Sequence, residues 1–230
     1  MIKSVGIRNF RSIEKEEVKF APITVLYGPT ASGKSSLLYS ILVLRNFVLN
    51  PNRPSDGYFH LGFMDLGGFD ACIFNHNASQ EIGINLALER NGFGASYGLS
   101  FSKNAGSVQL KNKTFNLQAK IPIPYGLNQS FPFPYSEGEE EYTINWNGIS
   151  CTGVSPKKPT IETQQRAREI ASTLNITGEI LSKEIDIAPL RRGFFKPNYT
   201  PVTVSANPTT EEEVASVIIN DPHMASSIST

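Results

Sequence analysis

Apolar and polar positions change period twice within the first fifty residues. Residues 2–7 and 17–20 read as two short strands, joined by a polar connection through Asn9-Phe10-Arg11-Ser12. Ile23-Thr24-Val25-Leu26-Tyr27 is an unbroken apolar run and predicts a third, buried strand. From Ser36 to Leu49 the spacing becomes helical. Leu37, Leu38, Ile41, Leu42, Leu44 and Val48 predict a helix buried over much of its surface, ending near Asn50-Pro51 because proline and its predecessor resist helix.

Residues 51–68 read as loop and short turns. Alternation then returns, through Ile82, Ile84, Leu86 and Leu88 and again through Tyr97, Leu99 and Phe101, so two neighbouring strands are expected. Residues 108–117 and 141–146 continue the pattern. Between them the proline-rich residues 121–135 suit an irregular edge or a loop, because proline cannot donate to a central ladder. Good helix formers over 160–174 predict a helix, with a second helical segment over 178–183. Ile185-Asp186-Ile187-Ala188 reads as a strand, residues 191–207 as a loop, and a last helix starts at Thr210, where Glu213 can close a capping box. That helix runs to Thr230 without a capping glycine, which predicts a piece of a longer protein.

Four segments are therefore expected. Residues 1–68 would hold core strands and a helix, and 69–158 a β-rich lobe. Residues 159–208 would add a helix and a strand returning to the core, and 209–230 the start of a truncated helical lobe.

Composition narrows the class. With 230 residues and 40% hydrophobic positions the chain can bury a proper core. Its 21 basic and 21 acidic residues create no global field that would attract nucleic acid. Cys72 and Cys151 stand alone, without Cys-x-x-Cys or clustered histidines, so neither a disulfide framework nor a zinc site is expected. No stretch approaches a membrane span and the N-terminus lacks a signal-peptide pattern, so a cytoplasmic protein with no membrane partner is expected.

The sharpest chemistry lies between the third strand and the long helix. Gly28-Pro29-Thr30-Ala31-Ser32-Gly33-Lys34-Ser35 fits G-x-x-x-x-G-K-[ST]. Such a loop wraps phosphates with backbone N–H groups while the following helix presents its N-terminus to the same anion. Gly28 and Gly33 allow the backbone angles and close approach. Pro29, Thr30, Ala31 and Ser32 form the loop between them. Lys34 can reach the β- and γ-phosphates, the Ser35 hydroxyl can ligate Mg²⁺, and Ser36 can assist at the α-phosphate. ATP and Mg²⁺ are the expected cofactors.

The order Val5-Gly6-Ile7-Arg8-Asn9-Phe10-Arg11-Ser12-Ile13, Val18-Lys19-Phe20 and then Gly28 to Ser36 resembles the N-terminal portion of RecF/SMC-like ABC-type ATPases, including the predicted-ATPase branch of the AAA/RecF-like group. Asp65-Leu66-Gly67-Gly68-Phe69-Asp70 with Asn75-His76-Asn77 is similar to a segment of that branch that precedes a β-rich subdomain. Ile187-Ala188-Pro189-Leu190-Arg191 is similar to the stretch leading into its helical lobe. The resemblance implies an α/β fold: the N-terminal lobe of a P-loop NTPase ABC-type head, with a β-rich subdomain, and incomplete. It implies that Arg11 and Ser12 approach the nucleotide, with Arg8 a weaker candidate. It also implies ATP-driven pairing of two heads in DNA repair, recombination or genome defence. The partner would be a second copy or the C-terminal half of the same ATPase, with DNA a further partner.

The family's Leu-Ser-Gly-Gly signature and Walker B carboxylates are not found. Asp65 and Asp221 lie in loop-like and helix-like contexts, so hydrolysis is expected only when those segments are supplied. Arg191-Arg192 could touch phosphate or DNA, or cover a loop. The three histidines suggest no metal. Glu137 to Glu141 reads as a solvated acidic tip, and Phe131, Phe133 and Tyr135 as loop packing. Two alternatives stay open: a non-catalytic ATP-sensing regulator, and a P-loop kinase acting on another substrate.

Overall fold

The computed structural model describes residues 1–113, 115–126 and 128–185. The expected strand beyond Ile185, the loop with Arg191 and Arg192, Asp221 and the helix starting at Thr210 lie outside the described residues. The first compact unit spans Met1–Ile185.

Among its described residues the strands all pair antiparallel and form two sheets. Strands β1 (Ile2–Phe10), β2 (Ile13–Lys19), β3 (Ile82–Arg90), β4 (Phe93–Phe101), β5 (Ala105–Asn112) and β6 (Asn116–Pro122) form one sheet in the order β2-β1-β3-β4-β5-β6. Strands β7 (Phe131–Glu137), β8 (Glu140–Trp146) and β9 (Cys151–Pro156) form a second, in that order. The helices are α1 (Lys34–Leu49), the five-residue α2 (Gly68–Cys72) and α3 (Ile161–Glu179). A π turn, Ile180–Glu184, continues α3.

Period-2 patterning fixes the register of the large sheet, since a slip of one residue would turn every buried side chain outward. Ile7, Ile84, Leu99, Val108 and Ala119 stand in one cross-strand row, and Val5, Leu86, Tyr97, Leu110 and Leu117 in the next. All ten are buried. Helix α1 packs against β1 and β3, bringing Leu37, Ile41, Leu44 and Val48 into the core, each worth roughly 1.5–3 kcal/mol of burial. Asn91 and Gly92, both with positive φ, make the tight β3–β4 turn that matches the right-handed twist of the strands.

The loop between β8 and β9 locks the two sheets together. The Asn147 side-chain oxygen accepts from the N–H groups of Ile149 and Ser150, at 2.9 and 2.7 Å, an Asx-type turn. Tyr97 and Tyr125 donate their hydroxyls to the carbonyls of Gly148 and Asn147. Burial pushes both phenols well above their ordinary range. Asn175 of α3 reaches the backbone of Cys151 from the other side.

Several expectations change. Residues 108–117 are not one strand but the ends of β5 and β6 around a turn. The aromatics of residues 131–135 lie in an edge strand, β7, and not in a loop. Pro132 and Pro134 carry no N–H, so only alternate residues of β7, Phe131, Phe133 and Tyr135, have an N–H to donate between Phe131 and Tyr135. The free edge is thereby blunted. Strand β9 was hidden by its weak alternation, Cys-Thr-Gly-Val-Ser-Pro. The helix expected over 160–174 runs to Glu179, where Gly178 does not break it. The acidic tip is held: Arg166 of α3 clasps Glu137 at 2.7 and 2.6 Å, and Lys157 pairs with Glu141 at 2.7 Å.

The largest departure concerns the strand expected before the phosphate loop. All strands among the described residues pair antiparallel, and residues 23–27 belong to none of them. Ile23, Val25 and Tyr27 are 55%, 76% and 91% exposed. An apolar, β-branched run normally enters a sheet to hide its side chains and pair its backbone. Here no strand among the described residues pairs with it.

Candidate nucleotide-binding site

The loop Gly28 to Gly33 leads the chain from residues 23–27, which belong to no strand or helix, into α1. Three left-handed residues make that turn possible: Gly28 at φ 143°, Ala31 at 64° and Gly33 at 88°. The glycines take these angles without a Cβ penalty, whereas Ala31 does so at a cost of about 1 kcal/mol or more. Gly33 is also the N-cap of α1 and supplies no side-chain cap. The first intrahelical bond there is Leu37 N–H to Gly33 C=O, at 2.9 Å. The N–H groups of Lys34, Ser35 and Ser36 therefore have no partner inside the helix, and no acidic side chain occupies the first turn. Those amides and the positive end of the helix dipole are suited to an anion.

Lys34 closes the loop on itself. Its ammonium donates to the carbonyls of Gly28 and Pro29, at 2.9 and 2.6 Å, and to Ser32 Oγ at 3.1 Å. A phosphate arriving in the loop would exchange these neutral acceptors for anionic oxygens, which make shorter and stronger charge-assisted bonds. Residues 28–32 and Ser35 are exposed, so the loop and the hydroxyl expected to ligate Mg²⁺ are accessible. Ser36 is buried, leaving its backbone N–H as the group it can offer. This donor set fits a Mg²⁺–nucleoside triphosphate: amides and an ammonium for the phosphates, and one hydroxyl oxygen for the hard cation.

The turn between β1 and β2 abuts the loop. A Cβ placed on Gly33 would lie 3.8 Å from Ser12 Oγ and 3.7 Å from the Ile13 side chain. Arg11, left-handed at φ 55°, anchors that turn by donating its N–H to Cys72 C=O at 2.6 Å. Its guanidinium lies 5.6 Å from the centre of the Tyr39 ring. The Cys72 thiol is raised to about 11, chiefly by burial, and is no nucleophile.

Other candidates go elsewhere. Arg8 stands in the cross-strand row with Gly83, Ser100 and Ser107, and donates towards Ser100 Oγ at 3.4 Å. That row is on the sheet face opposite the core, away from α1. Asp65 caps the N–H of Gly67 at 2.9 Å and lies 3.8 Å from His60, a turn-stabilising role. No cluster of three or more metal-binding side chains occurs among the described residues. No helix among them is long and apolar enough to cross a membrane. Tyr39 was missed as a partner of Arg11, because its helical spacing marks it only as a buried position of α1.

Comparison with known families agrees with this geometry. The model of the AAA ATPase domain matches residues 1–186. No curated protein matches the chain. With the match covering β1, the phosphate loop, α1 and the whole β-rich region, this chain belongs to the AAA ATPase domain family.

Proposed function

We propose that this chain is the ATP-binding part of a RecF/SMC-like ATPase head, in which Mg²⁺–ATP drives association with a second head or with a completing segment. Its setting is DNA repair, recombination or genome defence. The observation that carries the reading is the exposed loop and helix start: Lys34 bonded to the loop, the exposed Ser35, and three first-turn amides without a partner inside the helix all belong to the residues 34–36 that directly follow the loop. The exposed apolar residues 23, 25 and 27 support the partner half of the reading. Ile23, Val25 and Tyr27 are apolar side chains that a neighbouring strand would cover, directly before the nucleotide loop.

Phosphoryl transfer is mostly positioning and charge stabilisation, and a phosphate loop supplies only part of that. In this reading Lys34 and the helix N-terminus bind the triphosphate and Ser35 orients the cation. The water-activating carboxylate and the capping signature come from the partner. Nucleotide binding thereby becomes an association signal.

Light scattering on the full chain, with and without Mg²⁺–ATP, tests this. The reading predicts an ATP-dependent rise in mass that Lys34→Ala abolishes. Steady ATP hydrolysis by a protein that stays monomeric would replace the paired-head reading with a self-contained enzyme.

A further inference from the structure

We propose that Tyr39 is a positioning residue for the nucleotide, acting through Arg11; this rests on the reading of the loop as an ATP site flanked by the Arg11-Ser12 turn. Tyr39 lies one helical turn beyond Ser35 on α1, so its ring emerges directly behind the phosphate-binding end of the helix. The ring is buried, packed at 6.3 Å against Phe63, and carries the Arg11 guanidinium 5.6 Å from its centre. That distance falls within the reach of a cation–π contact.

The backbone of Arg11 is fixed as well, by its left-handed angle and its bond to Cys72 C=O. Both ends of the side chain are thus held: its backbone in the turn whose next two residues, Ser12 and Ile13, border Gly33, and its guanidinium on a ring one helical turn beyond Ser35. An exposed arginine otherwise samples many rotamers, and the freedom it loses on meeting a phosphate weakens binding. A ring that already holds the guanidinium removes most of that loss. The planar, weakly hydrated guanidinium can stack on tyrosine and still direct its N–H fork at a phosphate oxygen. A leucine at position 39 would keep an apolar side chain there, though a smaller one, without a ring face to hold the cation.

The test is a titration of the full chain with a fluorescent ATP analogue in Mg²⁺. It compares wild type, Tyr39→Phe, Tyr39→Leu, Arg11→Ala, Lys34→Ala and the double variant Arg11→Ala/Tyr39→Leu. Tyr39→Phe keeps the ring face, serves as the folding control, and should bind within about twofold of wild type, whereas Tyr39→Leu should weaken binding about three- to tenfold. In the Arg11→Ala background Tyr39→Leu should add nothing, since the group it positions is gone. An equal loss from Tyr39→Leu in both backgrounds would show a merely structural ring and overturn the proposal. Unchanged binding by Arg11→Ala, with Lys34→Ala still inactive, would overturn it through its premise and leave the loop reading intact. Binding that ignores Lys34 would overturn the nucleotide reading itself.

Discussion

A methyl group on Gly178 would land on the backbone carbonyl of Ile149, which cannot move without breaking the Asn147 turn. Gly178 has ordinary helical geometry, so conformational freedom is not what glycine provides there. It provides the close approach of α3 to the loop between β8 and β9. Glycine within a helix costs roughly 0.5–1 kcal/mol relative to alanine, yet Gly178→Ala should destabilise this fold by about 2–3 kcal/mol through overpacking. Thermal unfolding followed by circular dichroism checks this. A variant as stable as wild type, or more so, would mean that α3 stands farther from the loop. The sequence alone favours the opposite expectation, because a glycine late in a helical pattern ordinarily signals its end.

Between elements, the bidentate clasp of Arg166 on Glu137 ties α3 to the β7–β8 hairpin. The Arg166 hydrogen bonds hold the Glu137 carboxyl below the ordinary carboxylate range, while partial burial opposes that shift. Because the folded value is depressed, the clasp contributes its full stability above the unfolded pKa and loses it as pH falls through the folded one. Glu137→Gln should therefore cost about 1 kcal/mol at neutral pH, a modest figure because solvent screens the pair. The difference from wild type should shrink as pH falls through the depressed folded value. Denaturant unfolding over a series of falling pH decides it; a difference independent of pH would contradict the clasp. In the sequence, Glu137 lay in an acidic run that looked solvated. Nothing local could have announced a partner in α3, twenty-nine residues away. Strands β3, β4 and β8, by contrast, were legible because their alternation is strict and each has one buried face.

At the scale of the whole molecule, the site was more legible than the surrounding architecture. The loop and helix start follow from chemistry within nine residues: glycines where φ is positive, then Lys34, Ser35 and bare helical amides. The six-stranded order depends on β1 pairing with β3, across the loop and helix that separate them, which periodicity cannot encode. Residues 23–27 show the same limit from the other side. Their composition asks for a buried strand, but whether a strand is buried depends on neighbours, and none of the described strands pairs with them.

In the proposed reading, this unit folds to present the loop Gly28 to Gly33 and the start of α1 to a triphosphate. Calorimetric titration of wild type and Lys34→Ala with Mg²⁺–ATP tests it most directly. Losing a charge-assisted phosphate contact worth about 1.5–3 kcal/mol predicts saturable wild-type binding that weakens roughly 10- to 100-fold in the variant. Equal affinities for the two proteins, or no binding by wild type, would contradict it.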